Sequence, residues 1–253
     1  MSELECRIAG MVAVARSVVT YHGDPARAAA MDALYARFVR PGGLAFDIGS
    51  HVGDRVASFR RLGARVVALE PQPGPAGVIA QLFAGDPDVT LLRAACGARE
   101  GDLTLQVNTA NPTVTTASSA FVASAAGAGG WEGQVWDREI TVPCLTFDRL
   151  IADHGVPDFA KIDVEGFEAD VLAGLSRPLP ALSFEFTTIQ RDVAQACLDR
   201  LSALGAYRFN VALGESQRMT FAAPVSAQAM ADHLAGLPHE ANSGDVYALL
   251  VKD

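Results

Sequence analysis

Cysteine is scarce in this chain of 253 residues: Cys6, Cys96, Cys144 and Cys197 are the four present, and they lie far apart. That spacing excludes the close ligand pairs of a structural zinc site and the density of a disulfide scaffold, so reduced thiols in a cytoplasmic protein are expected. Basic residues are also in the minority, with 20 Lys and Arg against 29 Asp and Glu and a formal net charge of −9. No Lys- or Arg-rich run offers the positive stripe that a phosphate backbone requires, and nucleic acid is not an expected partner. Long apolar runs are missing too. The stretch 8–14 is short and follows the acids Glu3 and Glu5, which suits neither a secretory leader nor a bilayer-spanning helix, so no membrane partner is expected. No internal repeat at a fixed period is visible.

Apolar residues, by contrast, make up 50% of the chain, enough to bury a sizeable core. Short apolar runs bounded by Gly and Pro predict strands at 44–48, 65–69, 89–95, 159–164, 181–186, 207–213 and 246–251, with added strands at 103–107 and 140–144. Helical spacing falls between them, at 54–62, 77–83, 167–175 and 193–204, and Thr146 is placed to cap a helix through Ile151. The helix at 77–83 is expected to start after Pro71, Pro73 and Pro75. Alternating strands and helices imply a mostly parallel sheet covered on both faces, with ligands beyond the carboxyl ends of the strands. Residues 1–40 are expected to form a helical extension to a domain at 41–253. The polar, small-residue stretch at about 108–138 is expected to be an inserted mobile loop near the active site.

The first of these strands ends in Asp47-Ile48-Gly49-Ser50-His51-Val52-Gly53. Gly49 and Gly53 bracket the turn into the next helix and let backbone approach a ligand closely. The spacing is G-x-x-x-G, and His51 stands where a dinucleotide fingerprint has the glycine that admits the pyrophosphate, which disfavours NAD. A carboxylate at Asp47 suits a ligand with an ammonium and hydroxyls and repels one with phosphates. Adenosylmethionine fits that description. Glu70 then ends the second strand, where its carboxylate can accept ribose hydroxyls. Asp47, Gly49, Ser50, His51, Gly53, Glu70 and Pro71, together with Asp163 further along the chain, are the expected binding set, with Ala95 at the end of the third strand offering room for adenine.

The run Lys161-Ile162-Asp163-Val164-Glu165-Gly166-Phe167-Glu168 puts acids at the carboxyl end of another buried strand. Asp163 and Glu165 either face the cleft or cap the helix that follows, and Glu168 reads as an acid of its first turn. Proton acceptors for a hydroxyl substrate are sought among Asp163, Glu165, His51 and Glu185, the last set by alternation on the opposite side of its strand from Phe184 and Phe186. Asp163 and Glu165 are also a pair that holds a divalent cation in some sites; no His-rich ligand set accompanies them, and a metal is not indicated. Asn111, Thr113, Thr115 and Trp136 in the inserted stretch are expected to meet the substrate, with Trp131 weighed beside Trp136 as wall or core.

Through Phe46-Asp47-Ile48-Gly49, Val67-Ala68-Leu69-Glu70-Pro71, the 161–168 run with Val171-Leu172-Ala173-Gly174, and Phe184-Glu185-Phe186, the sequence resembles the FkbM-type methyltransferase family over roughly 41–186. The resemblance implies a Rossmann-like class I methyltransferase fold: a mostly parallel seven-stranded sheet, helices on both faces, and an antiparallel last strand. It also implies adenosylmethionine as methyl donor and, usually, O-methylation of a hydroxyl on a sugar or small secondary metabolite. His51 departs from the family, whose turn more often reads Ala-Asn-Ile-Gly. Two other readings stay open, a cofactor-binding protein of this fold without catalysis and a nicotinamide-dependent oxidoreductase, as does a homo-oligomer.

Overall fold

Strand segments such as LAFDI and FAKI are buried at every position, so both faces of the sheet they form must be covered, which is how parallel sheets exist. The computed structural model describes residues 3–251. Along the chain it has α1 (Glu3–His22), α2 (Pro25–Tyr35), β1 (Leu44–Ile48), α3 (Asp54–Arg61), β2 (Arg65–Leu69), α4 (Pro73–Leu82), β3 (Val89–Leu92), β4 (Ala95–Cys96), β5 (Gly101–Val107) and α5 (Ser119–Ala125). There follow β6 (Arg138–Leu145), α6 (Phe147–His154), β7 (Phe159–Ile162), α7 (Glu168–Ala173), β8 (Ala181–Thr187), α8 (Arg191–Leu204), β9 (Tyr207–Leu213), α9 (Ala227–Gly236) and β10 (Ser243–Leu250).

Seven strands form the main sheet in the order β3-β2-β1-β7-β8-β10-β9. All pairs from β3 to β8 are parallel, whereas β10 runs antiparallel to both β8 and β9. This is the mostly parallel seven-stranded sheet with a reversed last strand that the family resemblance implies. Strand order reverses between β1 and β7, and that switch point is where such sheets hold ligands. One face is buried by Phe46, Phe147, Phe184 and Leu198 among others, the opposite face by Met31, Tyr35, Phe59 and Phe159. Tyr35 and Met31 bring α2 into that second core, while α1 buries only Ala13 and Ser17.

Four local expectations change. Helix α4 starts at Pro73, not after the prolines, because a proline in the first turn forfeits no intrahelical hydrogen bond. The third strand stops at Leu92; Ala95 and Cys96 pair instead with β6 in a small second sheet ordered β4-β6-β5. The stretch expected as a mobile loop is packed: Ser118 caps α5 by accepting the Phe121 N–H, and Val114, Phe121, Ala125 and Trp131 bury one another in a satellite core. Its glycines and alanines hide the few large apolar residues that hold it. Helix α9, unread in the sequence, buries Met230 and Leu234 behind a Ser226 cap. Thr146 caps α6 as expected. All four cysteines are free, and three are buried. No helix among the described residues is long and apolar enough to cross a membrane.

Candidate active site

The turn after β1 is built around a close approach. Gly49 has φ +86°, and a Cβ there would lie 1.8 Å from the carbonyl oxygen of Asp163, so any side chain would push β1 and β7 apart. The N–H groups of Gly49 and Ser50 both donate to the Leu69 carbonyl, at 3.0 and 2.9 Å. His51 follows with φ +48°, a left-handed conformation uncommon for a residue with a side chain. Its N–H donates to Glu70 Oε2 at 2.8 Å, and the other oxygen of Glu70 accepts the Gln72 N–H at 2.8 Å. Glu70 is 2% exposed, and burial pushes its pKa up to about 8.

Asp47 is 1% exposed, and its Oδ2 has no hydrogen-bond partner. Burial first, then the charge of Asp54, raises its pKa to about 7. The His51 ring meets Tyr21 edge-on at 5.3 Å between centroids, and its Nε2 lies 3.5 Å from Thr113 Oγ1. Burial lowers the pKa of His51 to about 4, so the imidazole is neutral at pH 7.

On β7, the Lys161 ammonium donates to Asp163 Oδ2 at 3.0 Å and to Asp245 Oδ1 at 2.7 Å. Burial works against ionisation of Asp163, but Lys161 and Arg55 outweigh it and hold the carboxyl below its usual range. Glu165 has φ +55° and makes no side-chain hydrogen bond among the described residues. Burial, then Asp163 and Glu168, drive its pKa up; Glu185 is raised by burial and by Asp163 and Glu165. Ile162 pairs with Phe184 in the parallel register, so one step on Asp163 and Glu185 come side by side. Glu168 spends Oε1 on the N–H groups of Val164 and Gly166, at 3.0 and 3.3 Å, which fixes the loop carrying Glu165.

Two cavities open here. The first runs from Ile48 and Glu70 to Ala95 and Phe167. The second, about 250 Å³, is bounded by Tyr21, Arg55, Trp131, Lys161, Glu185 and Asn242. Gly49, His51, Thr113, Asp163 and Glu165 line both. The inserted segment roofs this junction: Gln72 Nε2 donates to Pro112 O at 3.0 Å, Thr115 Oγ1 to Gln72 Oε1 at 2.9 Å, and Thr116 Oγ1 to Glu165 O at 2.6 Å.

Of the residues singled out in the sequence, Glu70, Pro71, Ala95 and Thr115 line the first cavity, and Asp47, Ser50 and Glu185 the second. Three lie elsewhere. Gly53 lines neither cavity; it precedes α3 with φ +80°, and a Cβ there would meet Ile79 of α4 at 3.0 Å, so its place is in helix packing. Asn111 turns its amide to Gln134 Oε1, 3.2 Å away. Trp136 spends its indole N–H on the Val114 carbonyl at 2.8 Å and sets its ring edge against Phe121; Trp131 lines the second cavity in its place. Lys161, Arg55, Tyr21 and Gln72 were not anticipated. Lys161 was legible, since the period of a strand sets it on the same side as Asp163. Tyr21 and Arg55 arrive through tertiary packing and carry no local signal.

Residues 47–211 match the family model described as the methyltransferase FkbM domain. The hexuronic acid methyltransferase AglP of Haloferax volcanii is 25% identical over 151 residues, covering 58% of this chain and 56% of that protein; the match thus spans little more than half the length of that curated relative. Among solved structures, an O-methyltransferase from Bacillus cereus in complex with SAH is 12% identical with a TM-score of 0.48, covering 99% of this chain and 92% of that one. A precorrin-6y C5,15-methyltransferase from Geobacter metallireducens GS-15 is 15% identical with a TM-score of 0.46, covering 89% and 87%.

Proposed function

This chain belongs to the methyltransferase FkbM domain family, and from that premise we propose that it is an adenosylmethionine-dependent O-methyltransferase acting on a hydroxyl of a sugar or similar small compound. The observation that carries the reading is the junction: two cavities meet at His51, Thr113, Asp163 and Glu165, as a donor chamber and an acceptor chamber must. The residues fit the donor. Glu70 would take the ribose hydroxyls, the small Ala94 and Ala95 leave room for adenine, and the orphaned Oδ2 of Asp47, across the junction on the second cavity, would take the ammonium of the methionine arm. When bound, adenosylmethionine supplies a methyl group on a sulfonium. His51 at the middle of the turn leaves no place for a pyrophosphate, which disfavours a nicotinamide cofactor.

The residues around the second cavity account for the acceptor. His51, neutral at pH 7, takes the proton of the attacking hydroxyl, and the imidazolium that forms is countered by Asp54 and Asp163, both of which favour its charged form. The Trp131 indole N–H is buried without a partner and is available to a substrate oxygen, with its ring as a wall for a sugar face. The roof made by the inserted segment keeps water from the junction, where electrostatic interactions then act at closer to full strength. The activity of AglP on hexuronic acid supports a sugar as the acceptor class. Calorimetry with adenosylmethionine tests the donor, and no heat at millimolar ligand would end the reading. Methyl transfer to a panel of neutral sugars and uronates then identifies the acceptor.

A further inference from the structure

One oxygen from each of Asp163, Glu165 and Glu185 lies within 4.8 Å of the others. Oxygens bound at about 2.0–2.6 Å to a single ion lie at most about 5 Å apart, so these three already span one coordination sphere. A second feature points to a ligand there. Glu165 is 7% exposed, its carboxylate has no hydrogen-bond partner among the described residues, and it lines the cavity beside the other two acids. Glu185 Oε2 is buried and equally unpartnered. Buried carboxylates without donors are costly unless a cation or a proton meets them.

The charge around them sharpens the case. Asp54 and Glu215 are matched by Arg27 and Arg55. Asp47, Asp163 and Asp245 feel both Lys161 and Arg55, but Arg55 is ion-paired with Asp54 and Glu215 and Lys161 touches only Asp163 and Asp245. Among the described residues no cationic side chain forms an ion pair with Glu165 or Glu185, and the field of Lys161 offsets only part of what burial and the neighbouring acids do to them.

We propose that Asp163, Glu165 and Glu185 hold a hard divalent cation, Mg²⁺ or Mn²⁺, at the floor of the acceptor cavity. The inference rests on the methyltransferase reading for its purpose: an ion at this place binds the acceptor oxygen, lowers the pKa of its hydroxyl and favours acceptors that offer two adjacent oxygens. All-oxygen ligation with open positions for water or substrate is the habit of these ions.

Titration with Mn²⁺, following the free ion by its electron paramagnetic resonance signal, tests the site without reference to activity. One Mn²⁺ per chain is expected, displaced by Mg²⁺, with Glu165→Gln and Glu185→Gln each weakening binding at least tenfold. The thermal midpoint of the unmodified protein is expected to be several degrees higher in 1 mM Mn²⁺ than in EDTA. No uptake at millimolar Mn²⁺, no thermal shift, or uptake unchanged in both variants would overturn the proposal and leave a shared proton as what neutralises the cluster. Adenosylmethionine titrated in EDTA reports on the methyltransferase reading separately.

Discussion

The carboxylate of Glu70 accepts the backbone N–H of His51 at 2.8 Å, so the end of β2 clamps the turn that follows β1. The acid therefore holds the turn's left-handed geometry as well as facing the cavity. Its position couples the shape of the donor chamber to its own protonation state, and the first prediction follows from that.

In the ligand-free protein the thermal midpoint is expected to fall as pH rises from 6.5 to 8. Glu70 and Asp47 have folded pKa values of about 8 and 7, above their ordinary values of 4.5 and 3.8. The folded state therefore holds protons that the unfolded chain has released, and stability declines with pH through that window. His51, lowered to about 4 from 6.5, acts in the opposite direction but only below pH 6.5. Scanning calorimetry across pH reads the effect, and Glu70→Gln should flatten the decline; an unchanged slope in that variant would show that Glu70 is not its source.

Asn tolerates the left-handed region, so His51→Asn should fold and bind adenosylmethionine within a few-fold of the parent. Loss of the base should lower kcat by about 10²–10⁴-fold. The parent's rate should be flat above pH 5, and the variant's should climb with pH as the acceptor ionises unaided. Full kcat in His51→Asn would remove the histidine from the mechanism.

Asp54 receives Arg27 at 2.8 Å and Arg55 at 2.6 Å, with both arginine side chains 12% exposed. In Asp54→Ala those guanidiniums keep Glu215 as their one carboxylate, with Arg27 also on the Tyr21 carbonyl, and a loss of about 3–5 kcal/mol is expected from urea denaturation. Burial opposes its ionisation, but Arg55 and Arg27 hold its pKa at about 2, below the ordinary 3.8. This contribution is thus full above pH 3.8 and disappears as pH falls through 2. A urea midpoint unmoved by the substitution would mean the cluster contributes no stability.

Two glycines make a controlled comparison. Gly49→Ala forces a Cβ into the Asp163 carbonyl at φ +86° and should abolish adenosylmethionine binding or soluble expression. Gly77→Ala, inside α4 with nothing within 4 Å of the added carbon, should stabilise by about 0.5–1 kcal/mol. Thermal midpoints and cofactor titration separate the two; tolerance of alanine at 49 would contradict the close packing of β1 on β7.

Much of the fold was legible because buried parallel strands are short apolar runs punctuated by glycine, and β1, β2 and β9 lie at the boundaries their residues predict. The inserted segment was not legible: small and polar residues dominate its composition, while Phe121, Val114 and Trp131 acquire a core only by meeting one another in space. In the site, Asp47, Gly49, Glu70, Asp163 and Glu165 announced themselves by standing at strand ends. The two tryptophans could not be told apart, since nothing local tells which indole finds a carbonyl and which is left facing a cavity.

The sequence alone determined which residues sit at the carboxyl ends of β1, β2 and β7, because period and punctuation are local properties of the chain. Only the tertiary structure decided that Glu185 joins Asp163 and Glu165, that Lys161 is spent on Asp163 and Asp245, and that Tyr21 from α1 closes on His51. These are meetings of distant segments. They depend on strand register, on the reversed β10 and on the seat of α1, and those are set by how apolar faces pack together rather than by any run of neighbouring residues.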